Sequence, residues 1–216
     1  MLTPEQYLGA MAERIQRAGG RLNSVQIGPA TAVVGLFTEQ VLLTTMNYCV
    51  IAAAVPEVSA AALYDFTGRA TQHARANLTG TMGWTAGSVV IAGLVGGRVY
   101  PDAAQAASAK SGNQFGGETR MVAVDLSAGQ LYAFVGGKLW GAAMQGSVNA
   151  KLTYCFPQPA EVYQQIQWQQ AQQHPQHPMP APAPQVPPPP YAGPAGPQPP
   201  VYPPPGHAPQ QGPYGY

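Results

Sequence analysis

Residues 31–70 read TAVVGLFTEQVLLTTMNYCVIAAAVPEVSAAALYDFTGRA, and this stretch decides the fold. Thr31 to Phe37 is rich in β-branched residues, and Gly28-Pro29 supplies a turn before it, so a strand is predicted there. Val41 to Ala53 is a long apolar run, as expected of a central strand buried on both faces. Val55-Pro56-Glu57 then predicts a helix start, with proline at the first position and an acid in the first turn. Val58, Ala62, Phe66 and Ala70 recur on one face of that helix, which fades near Asn77 to Gly80.

Upstream, Thr3, Pro4 and Gln6 form a capping box that opens a helix. Leu8, Met11 and Ile15 give it an apolar face, and Gly19-Gly20 ends it. Asn23 to Gly28 is a short strand. Downstream, Ser88 to Val95 reads as a strand, and Pro101-Asp102 starts a short alanine-rich helix that ends by Gly112. Thr119 to Leu126 and Gln130 to Val135 flank Ser127-Ala128-Gly129 as a hairpin. Lys138 to Phe156 is the last predicted helix, stopped by Pro157 and Pro159. The order α-β-β-β-α-β-(α)-β-β-α predicts an α+β fold, a mostly antiparallel sheet with helices packed on it.

Composition divides the chain. All 10 Lys and Arg and all 9 Asp and Glu precede Val162, whereas 18 of the 24 prolines follow Glu161. Residues 1–160 are read as the folded domain and 161–216 as a disordered tail rich in Pro, Gln, Tyr and Gly. Glutamine-rich Ala160 to Gln173 is predicted to form at most a frayed turn or two of helix. The near-neutral head shows no basic stripe, which argues against nucleic acid. The longest apolar runs fall short of the roughly 18–20 residues that span a membrane, and MLTPEQY lacks the features of a signal peptide. Cys49 and Cys155 sit in apolar contexts, which predicts buried thiols and a cytoplasmic protein.

Motifs of chemistry are scarce. Four Gly-Gly pairs sit at element boundaries. Near Gly137-Lys138, Tyr132 replaces the first glycine of a P-loop and Leu139 the hydroxyl residue. His73 is the only histidine of the head and is read as a solvated helix-face residue. Glu57, Asp65, Glu118 and Asp125 show no spacing that pairs carboxylates. In the tail, Pro188-Pro189-Pro190-Tyr191 and Pro199-Pro200-Val201-Tyr202 match Pro-Pro-x-Tyr. Such a segment, extended as polyproline II, loses little entropy on entering an aromatic groove.

At VVGLFTEQVLL, AAAVPEVSAAALYDFTGRA and VAVDLSAGQLYAFVGGKLWGAAMQG the chain resembles a family of small actinobacterial and haloarchaeal proteins, over most of residues 1–155. The landmarks are Ala54 to Val58, the hairpin Val124 to Val135 and Leu139-Trp140-Gly141. Some members are labelled levansucrase, but that enzyme is a larger propeller using three carboxylates, and no motif here matches it. The resemblance implies a fold and a bacterial cytoplasm. The element order is also similar to class I type III secretion chaperones, which bind polypeptides, often as dimers.

These readings predict a non-enzymatic protein-interaction module, chaperone-like or adaptor, with a proline-rich tail. Its partners are proteins and a second copy of itself, not nucleic acid or membrane. Pro188, Pro189, Tyr191, Pro199, Pro200 and Tyr202 are the predicted docking residues; no catalytic, cofactor or metal residue is predicted. The competing reading is a small enzyme acting on a carbohydrate or polar metabolite, with Asp125, Glu118 or Asp65 in a polar pocket.

Overall fold

The structure is a computed structural model that describes residues 2–41, 43–77, 86–110, 113–114, 117–136 and 142–173. Helix α1 (Pro4–Arg17) opens with the predicted capping box: Thr3 Oγ1 accepts from Gln6 N–H, and Gln6 Oε1 accepts from Thr3 N–H. Gly19 turns the chain away at φ +76°, a backbone conformation that favours glycine. Strands β1 (Arg21–Ile27), β2 (Ala30–Val41) and β3 (Thr44–Ala54) follow as an antiparallel meander.

After β3 comes a two-residue strand, β4 (Glu57–Val58), and then helix α2 (Ala60–Asn77). The helix therefore starts later than Pro56 predicts. Ser59 is the reason: its hydroxyl accepts from Ala62 N–H and its carbonyl from Leu63 N–H, which satisfies the first turn. Residues 57–58 instead pair in parallel with β6 (Arg98–Val99), and the Pro56 carbonyl accepts from Gly97 N–H.

Strand β5 (Ala86–Gly96) lies parallel to β3. Helix α3 (Pro101–Ser108) leads toward β7 (Asn113–Gln114) and β8 (Gly117–Asp125), and β8 lies parallel to β5. Strand β9 (Gln130–Ala133) folds back on β8 as the predicted hairpin, with Gly129 at φ +66° in its turn. Helices α4 (Ala142–Cys155) and α5 (Pro159–Gln173) complete the described chain. The sheet order is β1-β2-β3-β5-β8, with β7 and β9 both on β8.

The fold is thus α+β, a mixed sheet in which most strand pairings are antiparallel. Its centre, however, is the parallel trio β3, β5 and β8. That arrangement requires cover on both faces, and successive residues alternate between two cores. Tyr48, Val50 and Ala52 face α1, α4 and α5, whereas Cys49, Ile51 and Ala53 face α2 and α3. The predicted strand Val41 to Ala53 is in fact split: Val41 ends β2, Leu43 in the turn is exposed, and β3 starts at Thr44, its apolar stretch from Tyr48 to Ala53 reflecting a strand with no solvent face.

Glycine marks two close approaches on the first face. A Cβ at Gly35 would sit 2.6 Å from Ile15 Cγ2 of α1, and a Cβ at Gly93 would strike the Phe156 ring. Helix α5 runs well past Ala160, where charge and proline suggested the domain would end. Pro159 opens it, Gln158 O accepts from Glu161 and Val162 N–H, and Val162 is fully buried in the α1 core. Ile166 packs beside it; beyond that point the helix is exposed. Its polar surface is mostly Gln and Ala, both good helix formers.

Candidate functional site

Helix α4 crosses the sheet, and three of its polar side chains each tie it to a different strand. At its start, Gln145 reaches β8. Arg120 is fully buried, with Nε donating to Glu118 Oε1, Nη1 to the Phe134 carbonyl and Nη2 to Gln145 Oε1. Gln145 Nε2 closes the ring by donating to Glu118 Oε2 at 2.9 Å. The guanidinium also lies over the Phe134 ring, 4.8 Å from its centroid. The charge is paired and each guanidinium nitrogen has an acceptor, as burial demands.

Two residues on, Ser147 Oγ shares a 2.7 Å hydrogen bond with Tyr48 OH of β3. Burial holds the Tyr48 phenol above its usual pKa, so it stays protonated. At the end of the row, Lys151 pairs with Glu39 of β2 and sits 4.2 Å from the centroid of the Phe37 ring. An open cavity of about 410 Å³ lies over this last tie, lined by Ala18, Glu39, Ser147, Ala150, Lys151 and Tyr154.

A second, apolar groove of about 500 Å³ lies where the start of α1, the turn after β8 and the start of α5 meet. Leu2, Pro4, Leu126, Pro159, Ala160 and Tyr163 line it, with Gly97 and the turn residues Ser127 to Gly129; no lining residue is charged. Tyr163 is 47% exposed, and Trp168, further along α5, is 71% exposed.

The carboxylates singled out by the sequence do not converge. Asp65 is an exposed partner of Arg69 on α2. Asp125 is buried, but its oxygens accept from Val99 and Ala128 N–H, so it locks β6 and the hairpin turn. Glu118 belongs to the Arg120 ring, and in β8 its even-numbered position faces opposite to Asp125. Glu57 accepts from Tyr100 OH at 2.5 Å. His73 keeps company with Asn77 on α2. No three His, Cys, Asp or Glu side chains gather closely enough for a metal among the described residues.

Cys49 and Cys155 are buried and unpaired, on opposite faces of the sheet. Burial pushes each thiol up to about 12. Among the described residues no helix is long and apolar enough to cross a membrane. Pro188, Pro189, Tyr191, Pro199, Pro200 and Tyr202, together with Gly137-Lys138 and Leu139-Trp140-Gly141, lie outside the described residues.

The sequence reading missed Arg120, Gln145, Ser147 and Lys151. A signal was present for the first. Glu118 and Arg120 share strand parity with Val122 and Val124, which places two charges on an apolar face. Comparison with protein-family models, curated proteins and solved structures finds no match.

Proposed function

We propose that this chain is a non-enzymatic protein-interaction module of the cytoplasm, a folded head that takes up an uncharged, apolar polypeptide segment and carries a proline-rich tail. The uncharged groove at Leu2, Pro4, Leu126, Pro159 and Tyr163 carries the reading. Its walls offer apolar area and no charge, which suits leucine-, proline- or aromatic-bearing peptide and disfavours phosphorylated or strongly ionic ligands. The half-exposed Tyr163 phenol is the type of amphipathic side chain enriched at such interfaces. The competing enzymatic reading loses support because Asp65, Glu118 and Asp125 point to three separate places and are engaged in structural bonds.

The cytoplasmic assignment rests on the two free, buried thiols. The tail's two Pro-Pro-x-Tyr segments supply a second docking element in this proposal, toward partners with an aromatic groove.

Selection from a displayed peptide library against the full chain, followed by calorimetry, tests the groove. Uncharged apolar peptides are expected to emerge, and Leu126→Glu or Tyr163→Glu is expected to weaken them by about tenfold or more. Peptides of every charge class binding equally well, or indifference to both substitutions, would overturn the reading. Removing residues 174–216 should leave this groove binding unchanged.

A further inference from the structure

The two edges of the sheet differ. Beyond β5, strand β8 carries both β7 and β9 on its outer side. On the other edge β1 pairs with β2 without interruption, from Arg21↔Leu36 to Ile27↔Ala30, and no described strand lies beyond it. Alternate residues of this seven-residue strand turn their N–H and C=O groups away from β2, and no described strand pairs with them. Exposed edges are ordinarily blunted by proline, a bulge, central lysines or a short strand. Strand β1 has none of these, and its single charge, Arg21, stands at one end.

The chain's own tail is chemically unsuited to this edge. A ladder needs backbone N–H groups, and residues 174–216 contain no proline-free run longer than three residues. Strand β1 itself, by contrast, is self-complementary. We propose that two copies join β1 to β1, antiparallel about a two-fold axis at Ser24, so that one sheet runs through both subunits.

In that register Ser24 faces the partner's Ser24, and Leu22 faces the partner's Gln26. On the other side of the sheet Val25 faces the partner's Asn23, and Ile27 faces the partner's Arg21. Parity is preserved: Leu22, packed against the α1 core, keeps its face, as do Val25 and Ile27, packed against the α2 core. The two Arg21 side chains fall at opposite ends of the seam, about 20 Å apart at the usual strand rise, which exceeds the screening length at physiological salt. Such a contact is isologous and closed, so it ends at two copies. It is independent of the groove proposed above.

Ser24 is exposed, so its substitutions should leave the fold intact. Light scattering and sedimentation of the full chain over a dilution series should show a dimer. Ser24→Lys places two ammonium groups directly opposite and is expected to raise the dimer Kd by about tenfold or more, with a thermal melt that matches the wild type once both are diluted to monomer. Ser24→Asp should do the same, and mixing the two variants should restore a dimer. Ser24→Cys should give a covalent dimer with a short thiol-to-thiol crosslinker, because facing Cβ atoms lie about 4.5–5.5 Å apart across such a pair, at or just beyond the reach of a relaxed disulfide. A wild-type chain that stays monomeric throughout, or a dimer untouched by Ser24→Lys, would overturn the proposal. So would a monomer whose β1 edge takes up an unrelated extended peptide.

Discussion

The two faces of the sheet are built on different principles. Under α2 and α3 the core is made largely of small residues: Ala70, Ala74, Ala103, Ala106 and Ala107 meet Ala32, Ala53, Ala92 and Ala123. Packing of these small side chains carries that face, with one hydrogen bond between the helices, from Ala60 N–H of α2 to Asp102 Oδ2 of α3. Under α1, α4 and α5 the core is larger and more varied, with Tyr7, Phe37, Tyr48 and Phe156, and it is crossed by the α4 row of Gln145, Ser147 and Lys151. A small-residue interface tolerates little change in volume. A polar row instead specifies one helix position, because each donor has a single acceptor to reach. The face that carries the open groove and the exposed aromatics of α5 is thus the one held by directional bonds.

The sharpest way to break this comparison is Arg120→Met. It leaves Glu118, Gln145 and the Phe134 carbonyl in a buried place with their shared donor gone. Removing one partner of a buried ion pair costs about 3–5 kcal/mol. Chemical denaturation should show that loss, and the double variant Glu118→Gln with Arg120→Met should recover part of it. A loss below about 1 kcal/mol would mean that the row is ornamental and that both faces are held by packing alone.

Next in size is Gly93→Ala, which tests how far packing matters on the polar-row face. The added Cβ meets the Phe156 ring, and overpacking of this kind costs about 1–3 kcal/mol. Adding Phe156→Leu should relieve some of it, read as a partial return of Tm. Lys151→Met should cost less, about 1 kcal/mol or below, because Glu39 is 36% exposed and water screens the pair. If Lys151→Met proved as damaging as Arg120→Met, the three ties of α4 would be equivalent instead of graded by burial.

What the sequence made legible follows the same divide. A capping box, a hairpin turn and a long apolar run are local, so α1, the β8–β9 hairpin and the body of the central β3 could be read directly, although the first residues of the run belong to β2 and the turn after it. The parallel centre could not, since nothing local in Ala86 to Gly96 says which strands will flank it. Helix α4 was blurred because its buried side includes Gln145 and Lys151, which mask the apolar stripe of Val148, Leu152 and Cys155. Helix α5 was hidden for a related reason: two anchors, Val162 and Ile166, suffice to dock a segment that otherwise reads as glutamine-rich and polar. The apolar groove was illegible because its walls come from three distant parts of the chain. The Arg120 ring needed only the parity of Glu118 and Arg120 to be noticed.

The two cysteines sharpen the comparison without disturbing stability, since each reports from one face. Cys49 lies under α2 and Cys155 on α4. With both thiols held at about 12, neither is a thiolate near neutral pH, and labelling must wait for the face to open. A thiol whose folded pKa is raised favours the fold fully below its ordinary value near 9, and that support is lost as pH climbs from 9 toward 12. Labelling at pH 8 therefore samples opening and leaves the stability unperturbed. Cys155 should react first, because α4 is reached through the row Gln145–Lys151 and ends beside the open cavity at Tyr154, whereas Cys49 sits on the central strand under a closed helix layer. Arg120→Met should widen the gap by accelerating Cys155 alone. Equal acceleration of both thiols would show that the faces open together, and the distinction between a packed face and a bonded one would then have no dynamic consequence.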